Sequence, residues 1–204
     1  MKSNRRAATV ATLLQSGEVE RFHAVPSIPA QTVAAHSWGV AIIAMQIYGT
    51  ETAVALRPLI EACLLHDTGE LITGDIPFTA KRGVFADIRE QLDAAEAKAM
   101  EENLWPMPRL ELGEQTILKL ADMLEGLRYA TLYERSPFSI GPVIPDRWWH
   151  ALNDMFCSEA MNGMTAVQCE RAYSVFAVLS PAMHAHRVYT SYEALRKSRN
   201  IRNK

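Results

Sequence analysis

Apolar positions recur at helical spacing along most of the chain. Residues 114–133 place Ile117, Leu120, Ala121, Leu124 and Leu127 on one side, the three-and-four spacing of an amphipathic helix. Residues 84–103 do the same with Ile88, Leu92, Ala95 and Ala99. Val10, Leu13 and Leu14 mark a helix over 6–16 that Gly17 stops, and a helix from about 36 to 48 closes at Gly49. Residues 52–71 predict one or two helices, with Pro58 at a start position. Three more helices are predicted over 146–160, 165–179 and 182–199, the last of them basic. Between them lies turn and loop chemistry: 20–35 with Pro26 and Pro29, TGDIPF at 73–78, LWPMPRLELG, and SPFSIGPVIP. No stretch alternates convincingly with the period of a strand, and there is no internal repeat. The predicted class is all-α, a single-domain helical bundle over residues 1–204.

Composition narrows this picture. A chain of 204 residues builds one good core and hardly a second. The formal net charge of −2 offers no global basic field, so no nucleic-acid partner is expected and any phosphate must meet a few local cations. The apolar run around Ile42 is broken by Gln46 and Tyr48, too short and too polar to span a bilayer. The basic N-terminus is punctuated by Thr, Gln and Ser and reads as a surface helix, not a leader. Cys63, Cys157 and Cys169 form no CxxC pair, which fits reduced thiols in a cytoplasm.

The candidate chemistry lies in polar residues that interrupt the apolar faces. His36 sits in AAHSWG, and His66-Asp67 closes EACLL. Glu70 follows His66 by four residues, one helical turn on. Asp122 interrupts ILKLADMLEGL beside its apolar stripe. Each has a plainer reading alone: His36 as a core or helix-end histidine, Asp122 as a salt-bridged edge. Together, two histidines and two aspartates make a mixed nitrogen and oxygen shell that suits Zn, Mn, Co, Ni or Fe and leaves positions for water and substrate. Trp148, Trp149, Leu152 and Phe156 in RWWHALNDMF form a broad apolar face, for the core or for a second subunit. His150, His184 and His186 read as structural or surface residues.

From Arg21 to about Glu125 these motifs resemble the HD-domain metal-dependent phosphohydrolases, most closely the bacterial HD-type 5'-deoxynucleotidases and the small phage enzymes that hydrolyse dATP. RF at 21–22 is similar to the family's Arg-Trp pair, and VAAHS at 33–37 to its V-x-E-H-S. HDTGELITGDIP at 66–77 is similar to HD-x-x-E-x-x-T-G-D-x-P, and LKLADMLEGL at 118–127 to the helix carrying the last metal aspartate. The resemblance implies one divalent transition metal per subunit on His36, His66, Asp67 and Asp122. It implies that Glu70 handles the nucleophilic water, Arg21 a phosphate, and Asp75 the sugar or reacting phosphate. It also implies a homo-oligomer. Phe22 stands where the family has Trp, so the wall beside the sugar is smaller. Ala35 stands where it has Glu, so a partner carboxylate for the first histidine is expected to be missing.

The motif core is thus about 21–135, with the C-terminal helices over 146–199 left for packing or oligomerisation. Phe22, Trp38 and Ile76 are candidate walls for the base, although core packing explains Phe22 and Trp38 equally well. Pro77 closes the motif as a further candidate substrate contact, and Lys81 and Arg82 lie on the loop after it, where they would matter most to a substrate with several phosphates. With Arg21 and the extra His23 they give more positive potential than a monophosphate requires. The preferred expectation is therefore a cytoplasmic dATP or dNTP triphosphohydrolase, with further Mg accompanying a triphosphate. A 5'-deoxynucleotidase acting on monophosphates is the alternative, and a non-catalytic nucleotide sensor is a third reading from another class.

Overall fold

A computed structural model describes residues 9–22, 29–49, 53–76, 88–103, 106–133, 143–157, 161 and 163–179. Helices dominate, as the periodicity predicts. They are α1 (Val33–Tyr48), α2 (Ala53–Leu65), the short α3 (Glu70–Thr73), α4 (Arg89–Asn103), α5 (Leu112–Tyr133), α6 (Val143–Cys157) and α7 (Ala166–Leu179). Residues 9–14 are helical as well, ahead of a 3-10 turn at Gln15–Gly17. The helix predicted over 182–199 lies outside the described residues, as do His23, Pro77, Lys81, Arg82, His184, His186 and the side chain of Cys157.

One feature of the 20–35 segment is a correction. It contains a two-residue antiparallel ladder, β1 (Glu20–Arg21) on β2 (Gln31–Thr32), in the register Glu20↔Thr32 and Arg21↔Gln31. Two residues per strand are too few for an alternating pattern to show. Opposite residues share a face of the ladder, so Arg21 and Gln31 are delivered together to the same part of the molecule. Thr32 also sets where α1 begins. Its hydroxyl accepts from the Ala35 N–H at 3.2 Å, an N-cap that starts the helix at Val33, three residues before the expected 36.

The core forms where α1 packs against α2, α5 and α7, and α5 against α6. Ile117, Leu120, Ala121, Leu124 and Leu127 are all fully buried. Each large aliphatic side chain among them contributes about 1.5–3 kcal/mol relative to exposure. Trp149, Leu152 and Phe156 of α6 join that core, with Phe156 stacked on Phe176 at 5.0 Å. Trp149, Leu152 and Phe156 are thus covered within the chain, with Trp148 half-buried beside them. Two further expectations need correcting. Pro58 lies inside α2 and not at its start, where it removes one backbone hydrogen bond. In α4 the supposed core stripe is weak: Ile88, just ahead of it, and Ala95 are exposed, and Met100 meets Leu65 in a small separate cluster.

Trp148 is placed by a glycine. A Cβ on Gly126 would come within 2.2 Å of the Trp148 ring. Alanine normally favours a helix over glycine by about 1 kcal/mol, but an overpacked contact costs about 1–3 kcal/mol. The indole is too large to yield cheaply, so the clash wins. Gly126→Ala is expected to lower the unfolding free energy measured by urea denaturation; an unchanged or higher midpoint would refute this packing.

Candidate metal centre

The helices and the turn that carry the polar motifs converge at one place. His36 projects from α1 and is fully buried. His66 continues the hydrogen-bond ladder of α2, its N–H bonding Ala62 O at 2.9 Å, and Asp67 follows on the turn. Asp122 arrives from α5. His36 Nε2 lies 3.4 Å from Asp122 Oδ1 and 3.6 Å from Asp67 Oδ2, and His66 Nε2 lies 3.4 Å from Asp67 Oδ1. The two imidazole rings are 5.3 Å apart. Ligating atoms of His36, His66 and Asp67 all lie within 4.8 Å of one another.

The donors themselves test whether a cation fits. The Nε2 atoms of His36 and His66 are buried and neither makes a hydrogen bond. Burying a polar nitrogen without a partner is costly, and both nitrogens face carboxylates that a divalent ion would share. The opposite nitrogens are engaged. His66 Nδ1 donates to Cys63 O at 2.9 Å, and His36 Nδ1 meets Glu125 Oε2 at 2.6 Å. Occupying Nδ1 leaves the Nε2 lone pair for coordination. The residues fit a mixed nitrogen and oxygen metal site of the kind expected.

Carboxylates outnumber cations around the site, with Arg21 and Lys119 set among Asp67, Asp122, Glu70 and Asp75. Arg21, opposite Gln31 in the ladder, makes an ion pair with Asp67. Burial opposes the charge on its guanidinium, but Asp67, Asp122, Glu70 and Asp75 together raise its pKa. Burial likewise works against ionised Asp67, and His66 and Arg21 overcome it, holding that carboxyl below its ordinary range. Asp122 is held well below that range despite burial, through His36 and Lys119, whose Nζ is 2.8 Å from Asp122 Oδ2. Glu70 is buried at the start of α3, and Asp75 and Ile76 are half-buried just beyond it.

The His36 ring carries a pH prediction. Burial disfavours its protonation, but Asp122 and Glu125 outweigh burial and raise its pKa above the ordinary 6.5. A metal takes the neutral ring, so protons compete with it. Metal affinity is expected to hold at alkaline pH and to fall as pH drops through the raised His36 pKa, with the loss beginning above 6.5. In the metal-free chain the sign is opposite: the stabilisation from charged His36 is full below 6.5 and is lost as pH rises through the folded value. Chelator competition at a series of pH values checks the first statement; an affinity flat from pH 8 to 6 would contradict it.

Not every expected residue joins this site. Trp38 is two positions beyond His36, about 200° round the helix. It is 66% exposed beside Ile42 and Met45 on the outer face of α1, so it is neither a wall of this site nor part of the core. Phe22, next to Arg21, adopts φ 62° and stacks on Tyr129 at 5.4 Å, with Trp148 edge-on at 6.0 Å. Left-handed backbone at a bulky residue is strained and persists where its surroundings enforce it. Three residues were missed by sequence reasoning: Glu125, Gln31 and Lys119. Glu125 is the instructive one. It lies in the apolar stripe of α5, three residues past Asp122 and 1% exposed. A carboxylate inside such a stripe was the available signal, since buried charge requires a partner. Ala35, by contrast, is exposed, so the absence of a carboxylate there leaves His36 with its partner intact.

Comparison with known proteins agrees with this geometry. The chain is 32% identical over 128 residues to a dATP triphosphohydrolase of Salmonella phage PMBT28, an alignment covering 58% of this chain and 64% of that protein. The chain thus spans somewhat under two thirds of that relative's length. Its fold matches an HD phosphohydrolase of cyanophage S-2L, solved with dA and one catalytic Zn2+ ion, at a TM-score of 0.59 and 15% identity. That match covers 83% of this chain and 95% of the other. The HD domain family model matches residues 17–131, the stretch that holds both histidines, both aspartates and Glu125. With more than half its length matched and the His66-Asp67 pair at the centre of the converging groups, the chain belongs to the HD domain family.

Proposed function

We propose that this chain is a metal-dependent phosphohydrolase acting on 2'-deoxynucleotides at the α-phosphorus, with dATP or another dNTP as substrate and deoxynucleoside plus triphosphate as products. The observation that carries the reading is the convergence of His36, His66 and Asp67 within 4.8 Å, beside Asp122 and Arg21. Similarity to the phage dATP triphosphohydrolase supports the substrate class.

A divalent transition ion on His36, His66, Asp67 and Asp122 would supply Lewis acidity, lowering the pKa of water from about 16 towards about 7 and polarising a P–O bond. The remaining work belongs to the chain. Glu70 takes a proton from the attacking water. Water oxygen bonds to the α-phosphorus, the bond from phosphorus to the 5' oxygen breaks, and that oxygen takes up a proton as the deoxynucleoside leaves. Arg21 pairs with phosphoryl oxygens, a bidentate contact open to a guanidinium. Lys119, 61% exposed beside Asp122, adds a cation at the rim for the outer phosphates, with Mg accompanying them. Asp75 and Ile76 border the sugar and base.

The proposal extends to the whole chain: one unit over 1–204, working in a cytoplasm as a homo-oligomer, without nucleic-acid or membrane partners. The shared core of α5, α6 and α7 supports the single unit. Among the described residues no helix is long and apolar enough to cross a membrane. Exposed Trp38, Ile42 and Met45 at one-turn spacing on α1 support a second copy; a monomer in sedimentation equilibrium would overturn the oligomer.

The test is product analysis. Purified protein with Co2+ or Mn2+ is given separate panels of deoxynucleoside mono- and triphosphates, and nucleoside, phosphate and triphosphate are resolved by chromatography. Nucleoside plus triphosphate is the expected result. Nucleoside plus phosphate from several monophosphates would make it a 5'-deoxynucleotidase. Metal bound without turnover on either panel would favour a nucleotide sensor.

A further inference from the structure

A buried hydrogen-bond chain runs behind the metal site, from β2 through α5 to α1. Gln31 Nε2 donates to Glu125 Oε1 at 2.9 Å, and Glu125 Oε2 meets His36 Nδ1 at 2.6 Å. All three side chains are buried, with Gln31 at 5%, Glu125 at 1% and His36 at 0% exposure. Arg128 NH1 stands 3.6 Å from Glu125 Oε1 at the outer end. The backbone of α1 makes room for this chain. A Cβ on Gly39 would lie 2.6 Å from Glu125 Cγ, so a glycine three residues after His36 lets the carboxylate reach the ring.

We propose that Glu125, held by Gln31, is the positioning residue for His36 as a metal ligand. The inference rests on the metal-site reading above. An ionised carboxylate only accepts hydrogen bonds. Its contact with Nδ1 therefore keeps the proton there and turns the Nε2 lone pair towards Asp67, Asp122 and the ion. The ring cannot rotate without breaking a contact in a fully buried space. A carboxylate behind the imidazole also makes it a more basic donor. Gln31 prevents the carboxylate from turning, because its amide N–H occupies the second oxygen. The role expected of a carboxylate at residue 35 is thereby filled from α5, a helix distant in sequence.

The test uses full-length protein and reads metal affinity and tautomer as well as turnover. Wild type, Glu125→Ala, Glu125→Gln and Gln31→Leu are titrated with Co2+ against a competing chelator. The His36 15N shifts are recorded at a pH where the ring is neutral. Loss of a hydrogen-bond partner behind a ligand histidine lowers affinity roughly 10–100-fold. Glu125→Ala is expected at the upper end of that range, with the Nδ1–H tautomer no longer enforced and an altered Co2+ absorption spectrum. Glu125→Gln keeps the shape without the charge and is expected near tenfold; Gln31→Leu is expected to lose several-fold. A purely structural role would lower stability but leave affinity per folded molecule and tautomer unchanged. Folded Glu125→Ala binding Co2+ within twofold of wild type would overturn the proposal, and if that variant does not fold, the same outcome in Glu125→Gln would do so. If wild type holds no Co2+, the metal reading falls instead. The tautomer of the metal-free protein then still decides the pairing: Nδ1–H supports it and Nε2–H overturns it.

Discussion

Replacing His66 with alanine is expected to abolish both metal retention and hydrolysis while leaving the chain folded. His66 supplies one of the two buried, unbonded Nε2 atoms, and with it gone the site keeps a single imidazole. The ring also helps hold Asp67 ionised against burial, so its loss weakens a second ligand. The structural cost is modest. Cys63 O loses one hydrogen bond, about 1 kcal/mol, and the Arg21–Asp67 pair survives. Asp67→Ala would be a poorer test, because it strips the partner from the part-buried Arg21 guanidinium, and leaving a charge without its partner away from water destabilises the fold. Metal content by mass spectrometry and turnover on dNTPs are the measurements. A folded His66→Ala protein with stoichiometric metal and full activity would show that the site is wrongly placed.

Glu70→Ala is expected to separate metal binding from chemistry. Glu70 opens α3, one turn beyond His66, and is 8% exposed. It is within electrostatic reach of Arg21, and the proposed reaction assigns it to the attacking water and not to the metal shell. Its loss should leave metal content near that of wild type. As a general base in the proposed reaction it accounts for about 10²–10⁴ in rate, so kcat should fall at least about a hundredfold. A fall in metal content parallel to the fall in kcat would make Glu70 a ligand, and an unchanged kcat would remove it from the reaction.

The periodic segments were legible because burial on one face of a helix leaves a local signature. Ile117, Leu120, Ala121, Leu124 and Leu127 recur at three-and-four spacing and are all fully buried. The His66-Asp67 and Glu70 cluster was legible for a similar reason: its members lie within one short stretch, and its polar residues interrupt apolar ones. Where the local signature was ambiguous, packing decided. Trp38 lies on the exposed side of α1, whereas Trp149 and Phe156 are covered by α7. Hydrophobicity alone does not say which apolar face will find a neighbour.

By itself, then, the sequence determined a helical bundle, which follows from residues close along each helix, and offered His36, His66, Asp67 and Asp122 as candidate ligands through the motifs that carry them. Only the tertiary structure decided what stands behind those residues. Gln31, His36 and Glu125 meet across separations of 89 and 94 residues, and Arg21 reaches Asp67 across 46. A hydrogen bond between distant segments leaves no spacing to read, because it exists only after β1, β2, α1 and α5 have packed.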